Sequence, residues 1–113
     1  MNDRKLNLLW TNADPLTSEL MVMMYAHNAI KKGWWKEIRV IVWGATAKLV
    51  AEDVHIQKLI ADAQEDGVEF SACEACADQL GVKQQLEKLG IEIIFWGAPL
   101  TEIIKSEEHL ITV

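Results

Sequence analysis

What most constrains this chain is a rhythm of five short apolar runs, residues 6–10, 38–43, 68–70, 91–96 and 110–113, separated by stretches with helical spacing. Near-continuous apolar runs of this length are typical of strands buried on both faces. Helices between them supply the crossovers that parallel strands require. The expected fold is a three-layer α/β/α single domain spanning 1–113, with a mainly parallel sheet of about five strands. A chain of 113 residues, 50% of them hydrophobic, is long enough to bury roughly two-thirds of its unfolded surface in one core.

Punctuation between the runs supports this division. Asp14 and Pro15 fit the cap and first position of a helix running to Lys32, with Gly33 as its stop. Leu16, Leu20, Met23, His27 and Ile30 fall on one face of that helix. Met21, Met24 and Tyr25 widen its apolar surface beyond what a sheet needs, which suggests either a second subunit or one broad core face. A short helix over 47–50 and a longer one over 53–65 follow, the latter with Ile56, Leu59, Ile60 and Ala63 on a common face. Asp66-Gly67 turns into the third strand, and Gly81 and Gly90 each end a brief helix. Pro99 opens a last helix with Leu100, Ile103 and Ile104 inward.

Charge excludes some functions. A formal net charge of −6 and a pI near 5.0 do not suit a surface that binds phosphates through clustered Lys and Arg, so no nucleic-acid partner is expected. No uncharged run approaches the roughly 18 residues of a membrane span, and the first 20 residues lack the organisation of a secretion signal. The expected setting is the cytoplasm, without a membrane partner.

The reactive chemistry lies in Ser71-Ala72-Cys73-Glu74-Ala75-Cys76, which holds both cysteines. Ser71 and Glu74 have capping-box spacing, which would place Cys73 in the first turn of a helix. The helix dipole there favours a thiolate by only about 0.3–1 kcal/mol, and Glu74 opposes it. In a reducing compartment a C-x-x-C pair is a candidate for redox, sulfur-handling or metal chemistry, beside the plain alternative of two small buried residues. Metal is disfavoured, because zinc wants three or four ligands and the three histidines are scattered. No cofactor is expected. A G-x-S-x-G elbow and a phosphate-cradling glycine loop are both absent.

All strands of a parallel sheet end on one edge, where ligands of open α/β sheets bind. Trp10, Asn12, Trp43, Gly44, Trp96 and Gly97 would gather there beside Cys73, as a pocket or as lids on the core rim. Trp43-Gly44-Ala45 and Trp96-Gly97-Ala98 echo each other as strand exits. A thioredoxin-like arrangement has the length and the C-x-x-C, yet there the pair follows an early strand and opens a long helix. Here it follows the third strand, and Gly81 ends the helix almost at once.

That order of elements resembles the DsrE-like small sulfur-relay family. Residues 73–81, Cys-Glu-Ala-Cys-Ala-Asp-Gln-Leu-Gly, look like the family's segment of a cysteine past the third strand followed by a short helix ending in glycine. The resemblance implies a persulfide on Cys73, received from a sulfur donor protein and passed to an acceptor protein. It also implies a homo-oligomer, a trimer or hexamer. The second cysteine and the Trp-Gly-Ala turns depart from the relay pattern. Cys76, sharing a helix face with Cys73 at i+3, could resolve a persulfide as a disulfide with release of sulfide. A dithiol redox protein and a non-enzymatic ligand- or protein-binding module are the alternative readings.

Overall fold

A computed structural model describes residues 4–113. Five parallel strands, β1 (Lys5–Trp10), β2 (Glu37–Val42), β3 (Glu69–Cys73), β4 (Glu92–Ile94) and β5 (His109–Thr112), form one sheet in the order β4-β3-β2-β1-β5. Helices flank it, so the expected single α/β/α domain is the observed one.

Topology explains how the layers are filled. The chain steps from β1 through β2 and β3 to β4 in one direction, then returns across the sheet to β5. Right-handed crossovers therefore put the helices of the first three connections on one face and the single helix of the return on the other. The first connection contains α1 (Pro15–Thr17), a π-helical stretch (Ser18–Met23) and α2 (Met24–Lys31). The next two supply α3 (Ala45–Glu52), α4 (Val54–Glu65), α5 (Glu74–Leu80) and α6 (Lys83–Lys88), and the return supplies α7 (Gly97–Lys105). Leu6, Leu8, Val40, Val42, Phe70 and Ala72 face the crowded side and build the main core. On the α7 side, Ile41 and Cys73 pack with Trp96 and Ile103.

The caps follow the sequence signals. Asp14 Oδ2 accepts the Thr17 N–H at 2.8 Å, and that backbone bond holds the Asp14 carboxyl below its ordinary value. Asp53 caps α4 by accepting the Ile56 N–H at 3.0 Å.

Two apolar faces differ from expectation. The first helix buries Ser18, Val22, Met23, Ala26 and Ala29, while Leu16 and Leu20 stay 63% and 51% exposed. Small residues win the sheet-facing stripe because they let the helix approach closely, and Ser18 Oγ is needed there to accept the Trp10 Nε1–H at 3.1 Å. In α7, Ile103 is buried and Ile104 is exposed. Helical spacing puts i and i+1 about 100° apart, so a lone covering helix buries only one of them.

Candidate functional site

The third strand runs three residues further than its apolar run suggested. Ser71, Ala72 and Cys73 pair in register with Glu92, Ile93 and Ile94. Strand pairing thus displaces the capping box. Ser71 Oγ accepts the Trp96 Nε1–H at 2.8 Å and donates to Glu92 Oε1 at 3.0 Å. The cap position falls to Cys73, whose backbone is extended (φ −71°, ψ 119°) and whose side chain makes no capping bond. Cys76, not Cys73, lies in the first turn of α5. Glu74 in the same turn meets Lys83 Nζ at 3.7 Å.

Alternation along the strands aims Cys73 at the α7 side of the sheet. There it is buried, 5% exposed, in one apolar cluster with Ile41, Trp96 and Ile103, against which Trp43 and Cys76 also pack. Both cysteines are free thiols, Cys73 buried and Cys76 half-buried. The Gly44 N–H donates to Cys76 Sγ at 3.3 Å. Gly44 has φ 74° and ψ −134°, a conformation that side-chain-bearing residues avoid, so glycine is what lets this turn aim its N–H at the sulfur. Burial pushes the Cys76 thiol up, the Gly44 N–H pulls it down, and the Cys73 side chain pushes it up again through a hydrogen bond and its charge.

The other tryptophans and glycines have separate tasks. Trp96, 1% exposed, is clamped between Ser71 and the Arg39 guanidinium, which lies 4.8 Å from its ring centroid. It roofs the cluster containing Cys73 and does not line an open pocket. Trp10 points to the opposite face of the sheet, fully buried in the main core, and is not beside the cysteines. Asn12 serves that core too, its carbonyl accepting the Trp10 Nε1–H at 3.1 Å. Gly97 is the first residue of α7, without the positive φ of Gly44. The two Trp-Gly-Ala exits are thus unlike. A residue missing from the sequence reading is Arg39, which donates to Asn7 Oδ1 at 3.2 Å from its Nη2. A charge at an alternate position of an apolar strand was its only signal. A cavity of about 550 Å³, lined by Arg39, Glu69, Ser71 and Glu92 among others, lies towards the strand beginnings. Among the described residues no three His, Cys, Asp or Glu side chains group to hold a metal ion.

A cysteine closing the third parallel strand, a short helix after it and Gly81 in the left-handed conformation at its end make up the arrangement of the DsrE-like segment. The DsrE/DsrF-like family matches residues 10–113. The chain belongs to the DsrE/DsrF-like family. Among solved structures it is similar to a conserved protein of unknown function from Bacteroides thetaiotaomicron, with 40% identity, a TM-score of 0.96 and 99% and 96% of the two chains covered. More distant likenesses show the fold alone. A protein of unknown function from Methanobacterium thermoautotrophicum is 15% identical over 98% of this chain and 100% of that one, at a TM-score of 0.79. The ychN protein from E. coli is 16% identical over 97% and 99%, at 0.72. No curated protein matches the chain.

Proposed function

We propose that this DsrE/DsrF-like protein handles sulfane sulfur, carrying it as a persulfide on Cys73 and exchanging it with donor and acceptor proteins in the cytoplasm. The observation that carries this reading is the thiol pair at the end of β3, with Cys73 screened by Trp96 and Ile103 and Cys76 held by the Gly44 N–H. Stray thiolates discharge a persulfide by attacking its sulfur, so an apolar, nearly closed surrounding suits its storage. Cys76 could also close a disulfide with release of sulfide.

Treating the native protein with a sulfane-sulfur donor and weighing the intact chain tests the reading. A gain of 32 Da, the mass of one sulfur atom, that comes to rest on Cys73 in wild type and disappears when both cysteines are replaced is the expected result. A loss of two hydrogens requiring both cysteines would favour dithiol redox chemistry. Two thiols inert in the native state would favour a binding module.

Self-assembly, as a trimer or hexamer, belongs to the same proposal. Leu16, Leu20, Met21 and Met24 expose apolar surface along the first helix, and Trp34 adds to the exposed apolar surface near its end. Surfaces of this kind mark interaction sites. Light scattering of the wild type should give a multiple of the 12.8 kDa chain mass, and Leu20→Glu with Met24→Glu should lower it. A monomeric wild type would sink this part.

A further inference from the structure

Resting on the sulfur-handling reading, we infer that sulfur arrives on Cys76 and only then passes to Cys73. The reason is access. Cys73 is 5% exposed and packed among Ile41, Trp96 and Ile103, so its Sγ offers little access to a persulfide carried by another molecule. Cys76 is half-buried, packs against the same cluster, and borders the β2–α3 turn at Gly44. One thiol meets solvent, the other meets the core, and both pack in one apolar cluster.

The chemistry closes without an added oxidant or reductant. The Cys76 thiolate attacks the outer sulfur of a persulfide R–S–SH, the S–S bond breaks, and R–S⁻ leaves and takes up the proton that Cys76 gave up. The products are Cys76–S–SH and R–SH. Cys73, as thiolate, then attacks that outer sulfur, the Cys76–S bond to it breaks, and Cys76 leaves as a thiolate that recovers the proton released by Cys73. Cys73–S–SH and free Cys76 result. In both steps negative charge appears on Cys76 Sγ, first as nucleophile and then as leaving group. The Gly44 N–H, 3.3 Å away, is the fixed donor that stabilises it, as charge-assisted hydrogen bonds from backbone N–H groups do. Gly44 is thus a positioning residue, and its positive φ of 74° is what keeps that donor in place.

The test follows sulfur residue by residue. The native protein is mixed with glutathione persulfide, quenched with an alkylating reagent over a time course, and analysed as peptides and as intact chain. Wild type should show the 32 Da increment first on Cys76 and later on Cys73. Cys73→Ser should hold it on Cys76, reached at least as fast as in wild type. Cys76→Ser should load Cys73 roughly tenfold more slowly or worse, a barrier change of about 1.4 kcal/mol. Cys76→Ala serves as a second replacement, and unfolding midpoints by tryptophan fluorescence verify that each variant is folded. Gly44→Ala, with both thiols intact, should slow loading and shift its pH profile upward, a change that a purely structural role would not produce. If Cys76→Ser and Cys76→Ala both load Cys73 at the wild-type rate, the receiving role of Cys76 is overturned while sulfur handling stands. If wild type gains no sulfur at all, the sulfur-handling reading itself fails.

Discussion

The two faces of the sheet are made by the same five strands and obey different rules. The face under the first three crossovers is apolar from end to end, with Leu6, Leu8, Val40, Val42 and Phe70 buried. The α7 face is divided across its width. Towards the strand beginnings it carries Asn7, Arg39, Glu69 and Glu92 beside an open cavity. Towards the strand ends it carries Ile41, Cys73 and Ile94 under Trp96 and α7. Fully covered surface stabilises by burial alone. A surface covered by one helix has to satisfy its polar groups laterally, and it leaves room at its margin for chemistry.

Substitutions should separate the two faces. The largest effect is expected for Trp96→Ala, which removes a buried indole and leaves Ser71 and Arg39 without it. A loss of about 3–5 kcal/mol in urea unfolding, together with much faster alkylation of Cys73, is the expected signature. Leu8→Ala on the other face should cost about 2–5 kcal/mol with no change in thiol reactivity once the folded state is restored at lower temperature. Equal effects of the two substitutions on thiol reactivity would erase the contrast between the faces. Next in size is Asn7→Ala, which takes an acceptor from Arg39 and should cost about 1–3 kcal/mol. Gly44→Ala meets open space but a forbidden backbone. A cost of about 1–3 kcal/mol with an altered rate at Cys76 is expected. The smallest effect is in pH. Because burial pushes the Cys76 thiol up, its thiolate fraction is depleted at neutral pH. In Cys73→Ser the charge that also pushes it up is gone. The alkylation profile of Cys76 should therefore lie lower on the pH axis in that variant than in wild type.

Much of this architecture was legible in the sequence, and the misses have physical causes. Near-continuous apolar runs and capped helices located all five strands and the glycine-ended helix after Cys73. Reading the first helix by size of apolar residue placed Met23 and Ile30 correctly against the core but not Leu16 and Leu20, since close packing on a sheet rewards Ala26 and Ala29 over them. The S-x-x-E pattern at Ser71 and Glu74 was a genuine capping signal outcompeted by three strand pairs and a Trp96 hydrogen bond. Cys73 and Cys76 were identifiable as residues. Their unequal exposure was not, because it depends on Trp96, Ile103 and Gly44, which are 23, 30 and 32 residues away from the cysteine each one meets. Trp10 could not be told from Trp96 by position at a strand end, since strand parity sends one indole up and the other down.

The π-helical stretch at Ser18–Met23 has a consequence for how this protein can vary. A wider turn holds more residues per revolution than an α-helix, and in effect stores a residue within the helix. Removing one residue there, Met21 for example, would let the backbone relax to ordinary α-helix with the turns on either side nearly in their present orientation. Ser18 would keep its place beside the Trp10 indole, and the stripe of Ala26 and Ala29 would stay against the sheet. The segment is thus a place where a single codon could be lost without reorienting either end of the helix.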